Sequence, residues 1–313
     1  MTATRMRRSV DSLSGRLKAI LLMCAAVTLF ACLDANAKYL GSHFKMPVAE
    51  IVWTRFVGQF LLMVALLGPR AVPDLFKTQK FGLQMVRSFL MAATTVCNFV
   101  AVQYLRLDQT ISIAFLAPLV VALLAGPLLG EYVGWRRALA IVTGFIGILI
   151  VIRPGFTQLH PAFAVSFAAM LAYALFMIVT RKLSGFDTPF VTLFYSLLVG
   201  VVGGALFAIP QWVWPSNVFE CLLLLTLGAL GGLGHYLLIL AYRLAPASSV
   251  SPFLYFQLLS MVSLGYFVFG DTPDRWSLIG SAVVIASGLY LVHRERVAGA
   301  ADRATALEQQ AAL

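Results

Sequence analysis

Apolar runs of roughly 18 residues or more, nearly free of charge, recur from one end of this chain to the other. That recurrence constrains the fold more than any other feature. In a bilayer every backbone N–H and C=O must be satisfied internally, so a run of this length becomes a spanning helix. Composition agrees: 60% of the 313 residues are hydrophobic and 12% are charged, against about 45–50% and 25% in soluble domains. Too little polar surface remains to cover a globule in water. The runs predict ten spans, near 17–40, 48–68, 81–103, 109–129, 135–152, 161–181, 189–209, 218–242, 247–270 and 275–293. The expected class is an all-α polytopic membrane protein.

Connectors such as Gly68-Pro69, Pro154-Gly155 and Thr272-Pro273 are short, which leaves no room for an inserted soluble domain. The net charge of +10 comes from single or paired basic residues beside apolar spans. It reads as loops at a membrane face rather than a nucleic-acid surface. With the amino terminus in the cytoplasm, the inner loops carry Arg70, Lys77, Lys80, Arg136, Arg137, Arg181, Lys182 and Arg243. The outer loops keep Lys45, Arg106, Arg153 and Arg275. The asymmetry places both termini inside. Ala35-Asn36-Ala37 imitates a signal-peptide cleavage site, but Asp34 and Lys38 are poor neighbours for one. The four cysteines lie in apolar spans without a Cys-x-x-Cys pair and read as small hydrophobes.

The chain also repeats itself. FLAPLVVALLAGPLLGE, from Phe115 to Glu131, returns as YFQLLSMVSLGYFVFGD, from Tyr255 to Asp271. Gly130-Glu131 matches Gly270-Asp271, Trp135 matches Trp276, and Lys38 has a counterpart in Lys182. Two units follow, 17–155 and 156–294, flanked by a cytoplasmic segment 1–16 and a tail 295–313. Five spans per unit is odd, so the second unit enters from the opposite side and the repeats are inverted, as in secondary transporters. Glu131 and Asp271 close the fourth helix of each unit. Each is either an interfacial terminator or a gate that meets a basic residue in one conformation.

Trp53-Thr54-Arg55-Phe56, Phe115-Leu116-Ala117-Pro118, Gly130-Glu131 and Tyr242-Arg243-Leu244-Ala245-Pro246-Ala247-Ser248 resemble the EamA branch of the drug/metabolite transporter superfamily. So does Cys32-Leu33-Asp34-Ala35-Asn36-Ala37-Lys38-Tyr39, and the likeness runs from 17 to 294. The resemblance implies ten helices, a central cavity lined by both units, and alternating access. It implies a small-molecule cargo without naming it, and neither a cofactor nor a metal.

Polar groups at membrane depth are the candidate contacts, because they are costly unless paired or wet. Asp34 lies about six residues, roughly 9 Å, from the outer end of its helix. Arg55 and Asn98 share that level, and Arg87, Met91, Thr94 and Asn98 form one helical face. Three arrangements stay open for Asp34: a polar patch on the cavity, a structural pair with Arg55, or a local pair with Lys38. His235 is the deep histidine, beside glycines that admit a neighbouring helix or a ligand. Pro118 and Pro252 interrupt the two repeated helices and free backbone carbonyls there. After Pro252, Tyr255 and Gln257 stand about 200° apart, so Gln257 is preferred as the one facing the cavity.

A phosphate-binding Gly-x-x-x-x-Gly-Lys-Ser/Thr loop and a His-Glu-x-x-His pair are absent from the sequence. Neither an ATP-driven pump nor a metalloenzyme fits. The expectation is a bacterial inner-membrane exporter of a small polar or zwitterionic solute such as an amino acid, with proton coupling or passive facilitation as its energetics. The alternative is uptake of a larger metabolite of the S-adenosylmethionine or riboflavin kind, and a remoter one is an intramembrane enzyme using Ser260 or Ser263 with His235.

Overall fold

A computed structural model describes the backbone of residues 3–311 apart from 69, 71, 130–134, 154–159, 184–185 and 246–249. Each of the ten apolar runs is helical over most of its described residues, and no strand occurs among the described residues. The first unit contributes α1 (Ala3–His43), α2 (Val48–Leu67) and α3 (Phe81–Tyr104). It continues with α4, in two pieces (Leu107–Ala114 and Ala117–Leu129), and α5 (Trp135–Ile152). The second contributes α6 (Ala162–Leu183), α7 (Pro189–Leu198, running on through Val199–Gly203 and Gly204–Ala208) and α8 (Val218–Leu244). Its last two are α9 (a 3-10 turn Ser251–Tyr255, then Phe256–Phe269) and α10 (Arg275–Ala311). Among the described residues, nine segments are long and apolar enough to cross a membrane, and Ala138–Ile152 is a shorter apolar helix. The chain is a multi-pass membrane protein.

The boundaries differ from the hydropathy reading for physical reasons. The helix of α1 begins at Ala3 and that of α10 runs to Ala311. Both extensions lack proline; the first is rich in Arg and the second in Ala, residues that propagate a helix whether or not it is apolar. Neither proline breaks a continuous helix as expected. Pro118 is the second residue of the second piece of α4, after a break at Phe115 and Leu116. Pro252 lies in the first turn of α9's 3-10 segment. At the start of a segment the missing N–H would have had no partner anyway. In α7, Val199–Gly203 adopts a π-turn that periodicity did not reveal.

Packing follows the repeat. Helix α1 lies against α8 and α9, and α6 lies against α3 and α4. Helix α2 meets α8 as α7 meets α3, while α5 and α10 pack on each other. Exchanging each helix for the one five places on converts every contact into another on this list, which is what two inverted units produce. Close approach depends on small residues: a Cβ on Gly228 of α8 would lie 2.4 Å from the Gly58 backbone of α2. One apolar core gathers Ile113, Leu119, Ile148 and Val284, and another gathers Leu40, Phe56, Phe99 and Phe194. Phe267, Leu206 and Leu225 face outward, as suits contact with lipid.

Candidate solute cavity

Between the units lies a cavity of about 500 Å³. Helices α1, α2 and α3 bring Asp34, Arg55 and Asn98 to its blind end, and α8 and α9 add His235, Tyr255 and Gln257. All six sequence candidates for solute contact therefore border one space. Pro118 borders it too, whereas Pro252 does not.

The blind end is built from hydrogen bonds between neighbouring spans. Asn98 Nδ2 donates to Asp34 Oδ1 at 2.9 Å, and Arg55 Nη1 donates to Thr95 Oγ1 at 2.9 Å. Thr95 in turn donates to the Met91 carbonyl at 3.0 Å, which fixes the acceptor in place. The guanidinium carbon of Arg55 lies 4.9 Å from the Phe56 ring centroid. Asp34 and Arg55 are not among the ion pairs of the described residues. The structural pair considered from sequence is thus replaced by two separate contacts, each with a neutral partner. The local Asp34–Lys38 pair is also replaced, because Lys38 is engaged elsewhere. One cation and one anion stand side by side, each holding donors or acceptors in reserve.

The walls are aromatic and soft. Phe30 meets the His235 ring edge-on at 4.9 Å, and Phe115 meets Tyr255 at 4.7 Å. Tyr255 and Gln257, both candidates from the sequence, both border the cavity. Tyr255 ends the 3-10 turn, so ideal α-helical angular spacing does not hold between them. Met91, Met170, Met177 and Met261 supply deformable surface. Two nearby side chains are engaged elsewhere. Arg87 turns away to Thr180 Oγ1 at 2.7 Å and to the Thr192 carbonyl at 2.9 Å. Trp53 donates to the Val201 carbonyl at 2.9 Å. Thr95, Thr110, Ser166 and Arg181 were not singled out from sequence; Thr95 falls at helical spacing with Met91 and Asn98, and that stripe was the signal available.

The lining reaches Arg181 and Tyr242 at one end of the bundle and stops at Asp34, Asn98 and Thr110 toward the other. That second end is shut by charge. Lys38 Nζ donates to Asp271 Oδ2 at 3.2 Å and to the Leu105 carbonyl at 3.0 Å, joining α1 to the end of α9. Gly270, at φ +70°, caps α9 in a left-handed turn that aims Asp271 at this contact. Asp271 is thus both terminator and cross-unit contact; Glu131 lies outside the described residues. Arg106 grips Asp108 through Nε at 3.0 Å and Nη2 at 2.7 Å, and reaches Ser277 at 3.0 Å. Arg153 pairs with Asp274. Burial pushes the Asp274 carboxyl up, but the Ser277 N–H and the charges of Arg153 and Arg106 hold it below the usual carboxylate range. Beneath these contacts, the hydroxyls of Ser112 and Ser281 meet at 2.7 Å.

Comparison with known proteins agrees with this architecture. The EamA-like transporter family matches residues 17–153 and 161–293. A riboflavin transporter of Vibrio cholerae is 28% identical over 280 residues, 89% of this chain and 94% of that one. An S-adenosylmethionine uptake transporter of Rickettsia prowazekii is 24% identical over 289 residues, 91% and 96% of the two chains. A pseudopaline exporter of Pseudomonas aeruginosa is 24% identical over 278 residues, 87% and 95%. A solved crystal structure superposes with a TM-score of 0.61 over 88% of this chain and 98% of its own, at 17% identity, a likeness of fold alone. With the family matching both units of the repeat, the chain belongs to the EamA-like transporters of the drug/metabolite transporter superfamily.

Proposed function

We propose that this transporter carries a small zwitterionic organic metabolite across a bacterial inner membrane by alternating access, with both termini in the cytoplasm and export as its direction. The observation that carries the reading is the blind end of the cavity, where Asp34 and Arg55 stand together without pairing. An ammonium beside Asp34 and a carboxylate beside Arg55 would complete both, and desolvated charges are stabilised when so partnered. Asn98, His235, Tyr255 and Gln257 supply further hydrogen bonds to orient the solute. Asp271 serves as the gate at the Lys38 end, and Glu131 as its counterpart at the other.

A second reading is uptake of a larger metabolite of the S-adenosylmethionine or riboflavin kind. Its support is the cavity volume of about 500 Å³, the aromatic wall, and the similarity to transporters named for riboflavin and S-adenosylmethionine. Proteoliposomes loaded with a panel of amino acids, S-adenosylmethionine and riboflavin, with and without a pH gradient, test both readings and the proton coupling together. Movement of amino acids alone supports the first, movement of S-adenosylmethionine or riboflavin supports the second, and movement of none overturns both. Orientation is tested by single cysteines: those at Ser42 and Asn217 should label from outside, and one at Thr78 should not.

A further inference from the structure

Behind Arg55, away from the cavity lining, Gln59 sits one turn further along α2. It is 2% exposed, and neither its amide oxygen nor its amide nitrogen has a hydrogen-bond partner. Arg55 is 5% exposed, and its Nε–H is likewise unpartnered. Buried polar atoms without partners are destabilising, so an idle acceptor beside an idle donor calls for a reason. The two face the same bare patch of α8. A Cβ placed on Gly231 would lie 3.3 Å from Gln59 Oε1 and 3.6 Å from Arg55 Nε. Donor and acceptor thus flank one glycine without meeting.

We infer that Gln59 is a positioning residue for Arg55, receiving its Nε–H when a solute carboxylate draws the guanidinium off Thr95. In the state described here Thr95 holds Nη1 and keeps Nε from Gln59. When the carboxylate takes the outer edge of the fork, the guanidinium turns and Nε closes onto Gln59 Oε1 across the Gly231 face. Gln59 then fixes the fork in the plane that bidentate recognition of a carboxylate requires. The unsatisfied amide of the empty state is thereby paired only in the loaded one, which makes it a discriminator for solutes that carry a carboxylate. This rests on the proposed function, since a solute anion must reach Arg55.

The test compares wild type with Gln59→Leu, Gln59→Glu and Gly231→Ala in proteoliposomes. The probes are α-amino acids and S-adenosylmethionine, which carry a carboxylate, and riboflavin, which does not. Leucine removes the acceptor, glutamate keeps one, and alanine places a methyl between donor and acceptor, its Cβ 3.3 Å from Gln59 Oε1, a close contact that a small shift of the amide relieves. KM for the carboxylate probes should rise about tenfold in Gln59→Leu and Gly231→Ala and recover in Gln59→Glu, with riboflavin unchanged. Unchanged KM for the carboxylate probes in Gln59→Leu, or equal losses on all probes, overturns the inference. If wild type moves no probe, the proposed function fails and this inference with it; the thermal stability of the ligand-free protein tests its premise separately. A rise in Tm of about 2 °C or more in Gln59→Leu upholds an idle amide; no rise, or a fall, rejects it.

Discussion

Both ends of the bundle join the two units, with different chemistry. At the Lys38 end, full charges do it: Lys38 with Asp271 and Arg153 with Asp274. At the opposite end a single carboxylate, Asp187, accepts from neutral donors: the Thr78 hydroxyl at 2.5 Å, the Gln79 N–H at 2.9 Å and Gln84 Nε2 at 2.8 Å. The ion-paired end is the one where the cavity stops, and the neutral cluster stands at the end toward which it extends. The contrast suits their tasks. These pairs are partly buried at a membrane face, so when they part, water that reaches the mouth can rehydrate the separated charges. Neutral hydrogen bonds around Asp187 tie the loop between α6 and α7 to the start of α3, outside the cavity lining.

The largest effect is expected at the blind end that both mouths must serve. Arg55→Lys keeps the charge and loses the fork, so transport should fall about 10- to 100-fold while the folded yield is retained. Initial rates beside size-exclusion profiles check this. Normal transport by well-folded Arg55→Ala would remove the charge pair from the mechanism. Next comes the ion-paired mouth. Lys38→Met should open it, and a cysteine replacing buried Ser112, with the four native cysteines removed, should label severalfold faster than with Lys38 intact. If labelling does not change, the pair is incidental to closure. Asp187→Asn should cost about 1 kcal/mol of stability and leave Ser112 labelling as it was, because its bonds lie at the other end.

The smallest effect is on pH dependence. Burial pushes the Asp187 carboxyl up, but bonds from Thr78, Gln79 and Gln84 hold it below the ordinary value. A carboxylate depressed in the folded state contributes stability that is fully present above its unfolded pKa, about 3.9, and is lost as pH falls through its lower folded value. Tm should therefore owe nothing to this group's titration between pH 7 and 5. Below about pH 4 it should drop, and Asp187→Asn should drop less. A larger change above pH 5 that vanishes in Asp187→Asn would contradict the assignment.

Much of this architecture was legible before any coordinates. Ten apolar runs and one repeated phrase suffice for the class, because a bilayer leaves helices as the economical solution and an odd count inverts the second unit. The depth of Asp34, Arg55 and Asn98 was legible because a helix advances uniformly along its axis. Partnership was not. Hydropathy places Lys38 one turn from Asp34, whereas the fold brings it to Asp271, 233 residues away in sequence. The direction of Arg87 and the role of Thr95 were hidden likewise, since both depend on which neighbouring helix faces each stripe. The 3-10 start of α9 shifts side chains off the ideal wheel there, and Tyr255 and Gln257 both border the cavity; the π-turn in α7 was equally hidden from periodicity.

Alternating access is tested most directly by spin-label distances across both mouths of one reconstituted protein, measured with and without a transported solute. Labels at exposed His43 and Thr272 span the Lys38 end, and labels at exposed Lys182 and His293 span the other. Solute should lengthen the first distance and shorten the second, in the same molecules and over the same concentration range. Both distances lengthening together would make the protein a channel and contradict the mechanism.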